Sequence, residues 1–197
     1  GAFAEVYRAR SANSQESQPA PYAVKLLKPQ WCDRPEGAAL LLREAVIGRS
    51  ICHPHLISIL AAGVKQPPLF VVMPWLEGAT LADRLASAES FELPVALWIV
   101  RQAAEALDAL YAAGWMHGDV KPSNLFVSPE GHVTLLDLGF ARRLEEESGS
   151  AVNRCLMGTC AYLAPEMVTS ALRADIRSDL YSLGVVLFEL LAGRRPF

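Results

Sequence analysis

The stretch His117-Gly118-Asp119-Val120-Lys121-Pro122-Ser123-Asn124, followed by Asp137-Leu138-Gly139, decides the reading of this chain. It places an acid, a cation and an amide in one loop, and a second acid just beyond a short hairpin. The hairpin consists of Leu125–Val127 and His132–Leu136, joined by Ser128-Pro129-Glu130-Gly131, with Pro and Gly where a type I turn favours them. Its return brings the oxygens of Asn124 and Asp137 toward one site, and hard oxygen ligands of this kind suit Mg²⁺. Asp119 is placed to orient a hydroxyl and accept its proton, and Lys121 to set its ammonium beside a transferring phosphate. A single loop Asp or Asn is usually a turn or cap residue. It is the spaced set that points to phosphoryl transfer from a metal-bound nucleotide, a reaction that asks mainly for positioning and charge neutralisation.

Outward from this loop the chain divides in character. Residues 1–10 read as a glycine-loop strand pair, and Ser11 to Ala20 as a polar, solvated loop. Tyr22–Leu27 reads as a strand, about Pro35 to Ser50 as a helix, and Leu56–Leu60 and Leu69–Met73 as short strands. Pro74–Gly78 looks like a connector, after which helices dominate. Pro94 suits the first position of a long helix whose Ile99, Ala103, Ala106, Leu107 and Leu110 recur at helical spacing until Gly114. Leu180, Leu183, Leu187, Leu190 and Leu191 mark a last apolar helix stopped by Gly193.

Composition narrows the class. In 197 residues, 52% are hydrophobic, enough for a packed core. A net charge of −3 gives no electrostatic case for nucleic acid or an anionic membrane. Cys32, Cys52, Cys155 and Cys160 form no CxxC pair and no ligand-spaced set with histidine, so they read as structural thiols of a reducing compartment. No secretory signal opens the chain, and the apolar run near Leu183–Leu191 is broken by Glu189 and far short of the roughly 20 residues a spanning helix requires. A cytoplasmic location is expected. The missing initiator Met, the start inside a loop and the end at Pro196-Phe197 lead us to expect an excerpt of a longer protein, in which an anchor or sensor domain could lie elsewhere.

The catalytic-loop spacing resembles that of the eukaryotic-type Ser/Thr protein kinases, and the resemblance runs in order from Gly1 to Phe197. It implies an α+β, bilobal fold truncated at both ends. A small antiparallel N-lobe sheet with one helix (1–73) would lead through a hinge (74–78) to a mainly helical C-lobe (79–197) that lacks its final helices. It implies ATP and Mg²⁺ bound between the lobes, and a protein substrate with a Ser or Thr acceptor. Gly1-Ala2-Phe3-Ala4-Glu5-Val6-Tyr7 resembles the second half of the phosphate loop, with Phe3 capping its tip and Ala4 where a third glycine usually stands. Ala23-x-Lys25 resembles the lysine that holds the α and β phosphates, with Glu44 its expected partner. Val6, Ala23 and Phe126 match the adenine sandwich. Met73, Pro74 and Leu76 match the hinge, which reads adenine through the Pro74 carbonyl and the Leu76 amide. Asp119 and Lys121 then take the catalytic positions, and Asn124 and Asp137 the metal positions. Gly158–Glu166 resembles the end of the activation segment, in which Thr159 would bridge Asp119 and Lys121. Asp179 matches the helix acid that braces the catalytic loop, although a helix N-cap is its plain alternative. The wording around Asp175–Phe197 looks most like bacterial members.

Three further positions depart from the family pattern. Gly118 replaces the arginine that commonly grips an activation-loop phosphate, so activity is expected not to require phosphorylation between Asp137 and Glu166, where Ser148 and Ser150 are the candidates. Leu138 replaces a phenylalanine. Gly48, one turn after Glu44, falls where a bulky residue is common. It would leave a gap in a column with Ile59, Leu138 and His117, so Gly48→Leu is expected to raise basal activity. Two other readings are open. A small-molecule phosphotransferase of the aminoglycoside or choline type also uses His-Gly-Asp with Asn five residues on, but lacks Lys121 and the Gly158–Glu166 segment. A nucleotide-binding pseudokinase scaffold would need no working set, yet Lys25, Asp119, Asn124 and Asp137 are all present.

Overall fold

The computed structural model describes residues 3–13, 15, 19–87, 90–144, 160–169 and 175–197. They form two compact units. The first comprises Gly1–Cys52, Ile57–Glu77 and Asp137–Gly139; the second comprises His53–Leu56, Gly78–Leu136 and Phe140–Phe197.

The first unit is built on a four-stranded antiparallel sheet. Its strands β1 (Ala4–Ala9), β2 (Tyr22–Leu27), β3 (Ala61–Gly63) and β4 (Phe70–Pro74) lie in the order β1-β2-β4-β3. A short helix α1 (Pro29–Cys32) leads into α2 (Pro35–Ser50), whose first turn starts on a proline, where the missing N–H costs nothing. Leu41 and Ala45 of α2 bury against Leu27, Ile59, Leu69 and Val71 of the sheet side, and this is the unit's core. Because β2 is central, its residues are fixed from both sides: Lys25 stands opposite Val6 of β1 and Val71 of β4, and Ala23 opposite Met73.

The strand expected at Leu56–Leu60 begins later, at Ala61. The Ile59 amide donates to the Gly48 carbonyl at the end of α2 (2.8 Å), which takes it out of any ladder, and pairing starts only where the Leu60 amide reaches the Val72 carbonyl (2.8 Å). Leu56, Ile57 and Ile59 are all buried, so the apolar run reflects core packing and not strand alternation. In place of a strand pair, the described part of residues 1–10 holds one strand, β1, paired with β2. The Phe3 ring packs edge-on against Trp31, with centroids 4.4 Å apart, at the border of the core, while the loop before it lies outside the described residues.

The same Ile59–Gly48 contact closes the supposed gap beside α2. A Cβ on Gly48 would lie 2.5 Å from Ile59 Cγ1 and 3.3 Å from Ile59 Cβ and N. Glycine is there because helix and following segment touch, and the column has no empty place at this position.

The second unit carries strands β5 (Ala79–Thr80), β7 (Leu125–Val127) and β8 (Val133–Leu135) in the order β5-β7-β8, and a two-stranded pair of β6 (Trp115–Met116) with β9 (Arg142–Arg143). Among the described residues its α-helices are α3 (Leu81–Ser87), α4 (Leu93–Ala112), α5 (Pro165–Thr169) and α6 (Ile176–Ala192), with α4 packed on α6. The five α4 residues at helical spacing are all buried, and the helix ends before Gly114, which adopts φ +79°. The β7–β8 turn closes with the Gly131 amide on the Ser128 carbonyl (3.1 Å). Gln102 of α4 adds a tie that spacing does not announce. Its amide nitrogen donates to the Gly131 carbonyl (2.9 Å) and its oxygen accepts from the Val133 amide (3.0 Å). His53–Leu56 joins this unit because the Leu135 amide donates to the His55 carbonyl (2.8 Å).

The last helix faces differently from its leucine pattern. The buried residues of α6 are Ser178, Asp179, Ser182, Leu183, Val185, Val186 and Leu190, while Leu180 and Leu191 are exposed. Three polar side chains turn inward because each has a partner there: Ser178 donates to Glu166, Ser182 to the Tyr162 carbonyl, and Asp179 accepts two backbone amides. Gly193 ends the helix at φ +66°. No helix among the described residues is long and apolar enough to cross a membrane.

Candidate active site

In the first unit, Lys25 projects from the middle of β2 and its ammonium binds two carboxylates. Glu44 Oε2 of α2 lies at 2.8 Å and Asp137 Oδ1 at 2.9 Å. The side chains are 17% (Lys25), 2% (Glu44) and 34% (Asp137) exposed. Burial works against the charged ammonium, but the adjacent charges of Asp137 and Glu44 outweigh it, so the Lys25 pKa is raised. Burial pushes the Glu44 carboxyl up, while the Lys25 ammonium pulls it down and the Asp137 charge pushes it up further. The ammonium therefore holds together two carboxylates that would otherwise repel. Asp137 sits at φ +60°, the only non-glycine residue with positive φ among those described, and Asp is one of the few residues that tolerates this region.

The other residues singled out in this unit lie around the same sheet. Val6 is directly across from Lys25 on β1, Ala23 precedes Lys25 on the same face, Met73 stands opposite Ala23, and Pro74 opposite Tyr22. Leu76 is half-buried in the connector. Next to it, Trp75 donates its indole N–H to Glu77 (3.1 Å), which also pairs with Arg8 of β1 (3.0 Å). Gly1 lies outside the described residues, as do Ser148, Ser150, Cys155, Gly158 and Thr159.

In the second unit, Asp119 is 4% exposed. Its Oδ2 accepts from Lys121 Nζ (2.7 Å) and Asn124 Nδ2 (3.0 Å). Asn124 Nδ2 also donates to the Asp119 carbonyl (2.8 Å). A carbonyl only accepts, so the amide orientation is fixed and Oδ1 is the acceptor that Asn124 retains. The 3-10 turn Pro122–Asn124 brings Asn124 back to Asp119 within five residues. Phe126 lies in β7 opposite Thr80 and Thr134, its ring 3.1 Å from where a Cβ on Gly78 would be.

The loop is anchored from behind. Asp179, fully buried in α6, accepts from the amides of His117 (2.7 Å) and Gly118 (2.8 Å). The helix N-cap is Asp175, whose side chain accepts from the Arg177 amide, so Asp179 is not the cap. Burial pushes the Asp179 carboxyl up, against the opposing pull of His117 and the two amides. Gly118 sits at φ +74°, which its lack of Cβ allows without strain. His117, read from sequence only as part of an apolar column, is a hydrogen-bonding hub. Its Nε2–H donates to the Leu136 carbonyl (3.0 Å) and its Nδ1 accepts the Asp119 amide (3.2 Å). One imidazole thus links the loop to the end of β8, and only its place two residues before Asp119 could have signalled it.

The six polar side chains expected to act on a nucleotide and metal thus form two sets, Lys25–Glu44–Asp137 and Asp119–Lys121–Asn124, each joined within its own unit. Among the described residues no group of three or more His, Cys, Asp or Glu is arranged to hold a metal unaided. The Asp137 carboxylate in the first unit and the Asn124 amide oxygen in the second are each a hard oxygen donor of the kind that suits Mg²⁺.

The sequence model of the family described as "Protein kinase domain" matches residues 1–197. A probable serine/threonine-protein kinase of Clostridium perfringens is 32% identical over the whole chain, which covers 28% of that protein. The serine/threonine-protein kinase PknB of Mycobacterium leprae is 32% identical, again over the whole chain and 32% of its own length. A probable serine/threonine-protein kinase of Bifidobacterium longum is 34% identical over 79% of the chain and 20% of its own length. The chain spans about a third or less of the length of these relatives. With its whole length matched and its fold of antiparallel sheets and helices as described, the chain belongs to the protein kinase domain family.

Proposed function

We propose that this chain is the catalytic domain of a protein serine/threonine kinase, which transfers the γ-phosphoryl group of ATP to Ser or Thr hydroxyls of protein substrates. The observation that carries the reading is the Lys25 ammonium held at 2.8 Å by Glu44 and 2.9 Å by Asp137. A buried ion cluster is a weak device for stability, since its desolvation cost offsets most of the attraction. A lysine aimed by one carboxylate and shared with a second, metal-type carboxylate is a good device for holding phosphates.

In this reading Lys25 binds the α and β phosphates and Glu44 fixes its direction. Asn124 and Asp137 would hold Mg²⁺, which when bound neutralises charge on the phosphates. Asp119, with one carboxylate oxygen oriented by Lys121 and Asn124, aligns the acceptor hydroxyl and takes its proton as the oxygen–phosphorus bond forms and the bond to ADP breaks. Lys121 neutralises the transferring group. Val6, Ala23, Met73 and Phe126 would enclose the adenine, the Pro74 carbonyl and Leu76 amide would read its edge, and Gly1 would belong to the phosphate loop. A cytoplasmic location is part of the same proposal, since the reaction draws on ATP and Mg²⁺.

The test is transfer of labelled phosphate from ATP to a generic protein substrate such as casein, with acid hydrolysis to identify the labelled residue. Phosphoserine or phosphothreonine, lost in Asp119→Asn, is the expected outcome. Label appearing only on an aminoglycoside or choline would replace the protein acceptor by a small molecule, and nucleotide binding without any transfer would overturn the enzymatic reading.

A further inference from the structure

Within the first unit, β1 lies at the edge of the sheet and β2 separates it from β4, so no ladder sets its place relative to the connector that follows β4. Among the described residues, the last backbone tie from that connector to the sheet is the Trp75 amide, which donates to the Pro21 carbonyl (2.8 Å). Past it a side chain of β1 takes over. The Arg8 guanidinium donates from Nε to the Ala20 carbonyl (3.0 Å) and from Nη2 to Glu77 Oε1 (3.0 Å), and its central carbon lies 4.8 Å from the middle of the Trp75 ring. The same Glu77 oxygen accepts the Trp75 indole N–H (3.1 Å). Arg8, Trp75 and Glu77 thus close a triangle in which each touches the other two. Only a planar cation with donors in a fixed fork can make the ion pair, the carbonyl hydrogen bond and the ring stack at once. Stability does not account for the arrangement: the Arg8 and Glu77 side chains are 46% and 69% exposed, and exposed ion pairs add little to folding. What the triangle fixes is a distance. Side chains directly opposite on paired strands, or two residues apart on one strand, share a face. Val6 and Arg8 therefore stand on the same face as Ala23, Lys25 and Met73, and the two connector residues that Arg8 grips flank Leu76.

We propose that Arg8 is a positioning residue for the purine: it sets the gap between Val6 on β1 and the Leu76 amide of the connector. This rests on the kinase reading, in which those two groups enclose an adenine and read its edge. With the triangle closed, Trp75 and Glu77 hold the Leu76 peptide from both sides, so the direction of its amide is set by the protein and the ligand need not order it. With the triangle opened, β1 keeps its ladder to β2 and the connector keeps the bond from Trp75 to Pro21, but the span between β1 and the connector is free to vary. The loss then falls on the adenine end of a nucleotide. It does not fall on the phosphates that Lys25 would hold, nor on the transfer step.

The experiment uses the full-length protein with Mg²⁺. It measures ADP affinity by calorimetry, adenosine as a competitive inhibitor against ATP, and kcat with KM for ATP and for casein. Arg8→Ala raises the ADP Kd, the adenosine Ki and the KM for ATP together, by about three- to tenfold, while kcat and the KM for casein stay within about twofold of wild type. Arg8→Lys, which keeps a charge for Glu77 but not the fork, falls between the two. Glu77→Gln keeps an acceptor for Trp75 and removes the ion pair. It raises the same constants by a smaller factor, and adding it to Arg8→Ala weakens binding no further, because the partner is already gone. Both positions are exposed, and an unchanged thermal melt shows that the variants are folded; should Arg8→Ala melt lower, Glu77→Gln carries the test. A fall in kcat with the binding constants unchanged overturns the proposal, and so does weaker ADP binding that adenosine does not share, since the effect would then run through the phosphates. A wild type that binds ADP and adenosine no better than Arg8→Ala removes the positioning role alone. A wild type that binds neither removes the kinase reading and the purine slot with it.

Discussion

Gly48 offers a sharp test of how α2 is seated. Placing a methyl group there has two opposed effects. Alanine is the better helix former by about 1 kcal/mol in a helix interior. The new Cβ, however, would lie 2.5 Å from Ile59 Cγ1 and 3.3 Å from both Ile59 Cβ and the Ile59 amide nitrogen. A rotamer change cannot clear three atoms at once, because isoleucine is stiff at χ1 and its backbone is tied to Gly48 by the 2.8 Å hydrogen bond. Overpacking of this kind costs roughly 1–3 kcal/mol. The balance for Gly48→Ala is a destabilisation of about 0–2 kcal/mol, and at about 2–4 °C per kcal/mol for a domain of this size the melting temperature falls by up to about 8 °C. Gly48→Leu is worse and, by displacing the turn next to Glu44, lowers phosphoryl transfer where the sequence pattern led us to expect a gain. The decisive measurement is the double-mutant cycle with Ile59→Ala by denaturant melts. Removing the Ile59 branch creates the room the new methyl needs, so the second substitution should cost less in the Gly48→Ala background, by about 1 kcal/mol or more. A Gly48→Ala protein that melts higher than wild type, or a cycle with no coupling, would refute the close-contact argument.

Other expectations follow from the two ion clusters and their support. Asp119→Asn lowers kcat by roughly 10²–10⁴ with KM for ATP near that of wild type, measured by initial rates on a protein substrate. Lys25→Met leaves Glu44 buried without its cation and costs about 3–5 kcal/mol in chemical denaturation, most of which a further Glu44→Leu change recovers, although neither variant transfers phosphate. Asp179→Asn offers one acceptor where two amides need one each, and costs about 1–3 kcal/mol. Its pH signature is specific: burial raises the folded pKa of Asp179 above the ordinary 3.8, so the carboxyl's stabilising contribution is fullest below pH 3.8 and is lost as pH rises through the folded value. The melting-temperature advantage of wild type over Asp179→Asn should therefore shrink as the pH is raised from below 3.8, and an advantage that grows over that range would contradict the burial argument. Phosphatase treatment leaves transfer activity intact, because glycine stands at position 118, whereas Gly118→Arg, forced to φ +74°, loses about 1–2 kcal/mol of stability.

Much of the fold was legible because local signals agreed with tertiary ones. The α4 stripe at Ile99, Ala103, Ala106, Leu107 and Leu110 lies on one helical face and is buried on that face, and the Pro129–Gly131 turn chemistry matches the hydrogen bond that closes it. Where periodicity failed, a hydrogen bond had outbid the apolar pattern. Leu56–Leu60 looks like a strand, but the Ile59 amide is committed to α2. The leucines of α6 look like its buried stripe, but Asp179, Ser178 and Ser182 take the inner face because each meets a backbone or side-chain partner there. Apolar residues are free to point either way on a helix packed on several sides; a buried carboxylate can point only to its donors.

The site was legible for a different reason. Asp119, Lys121 and Asn124 lie within one turn of chain, so spacing alone puts them in reach of each other, and the structure joins them. Lys25, Glu44 and Asp137 have no such local logic: the ion pair from residue 25 to residue 137 spans most of the chain, and only resemblance to a family could suggest its first half. The resemblance places Asp137 at the same nucleotide as Lys25, but nothing in the sequence pairs the two side chains directly. The physical consequence is that the Lys25 ammonium and the Asp137 carboxylate neutralise each other. In the proposed function, a nucleotide that drew the ammonium to its phosphates would loosen the 2.9 Å contact to Asp137, and Glu44, 2% exposed and fixed on α2, would then be the partner that keeps Lys25 charged and aimed. Glu44→Gln therefore weakens ATP binding more than its distance from any phosphate suggests, by leaving Lys25 to follow Asp137 alone; an ATP affinity unchanged in Glu44→Gln, measured by calorimetry, would remove Glu44 from the nucleotide site.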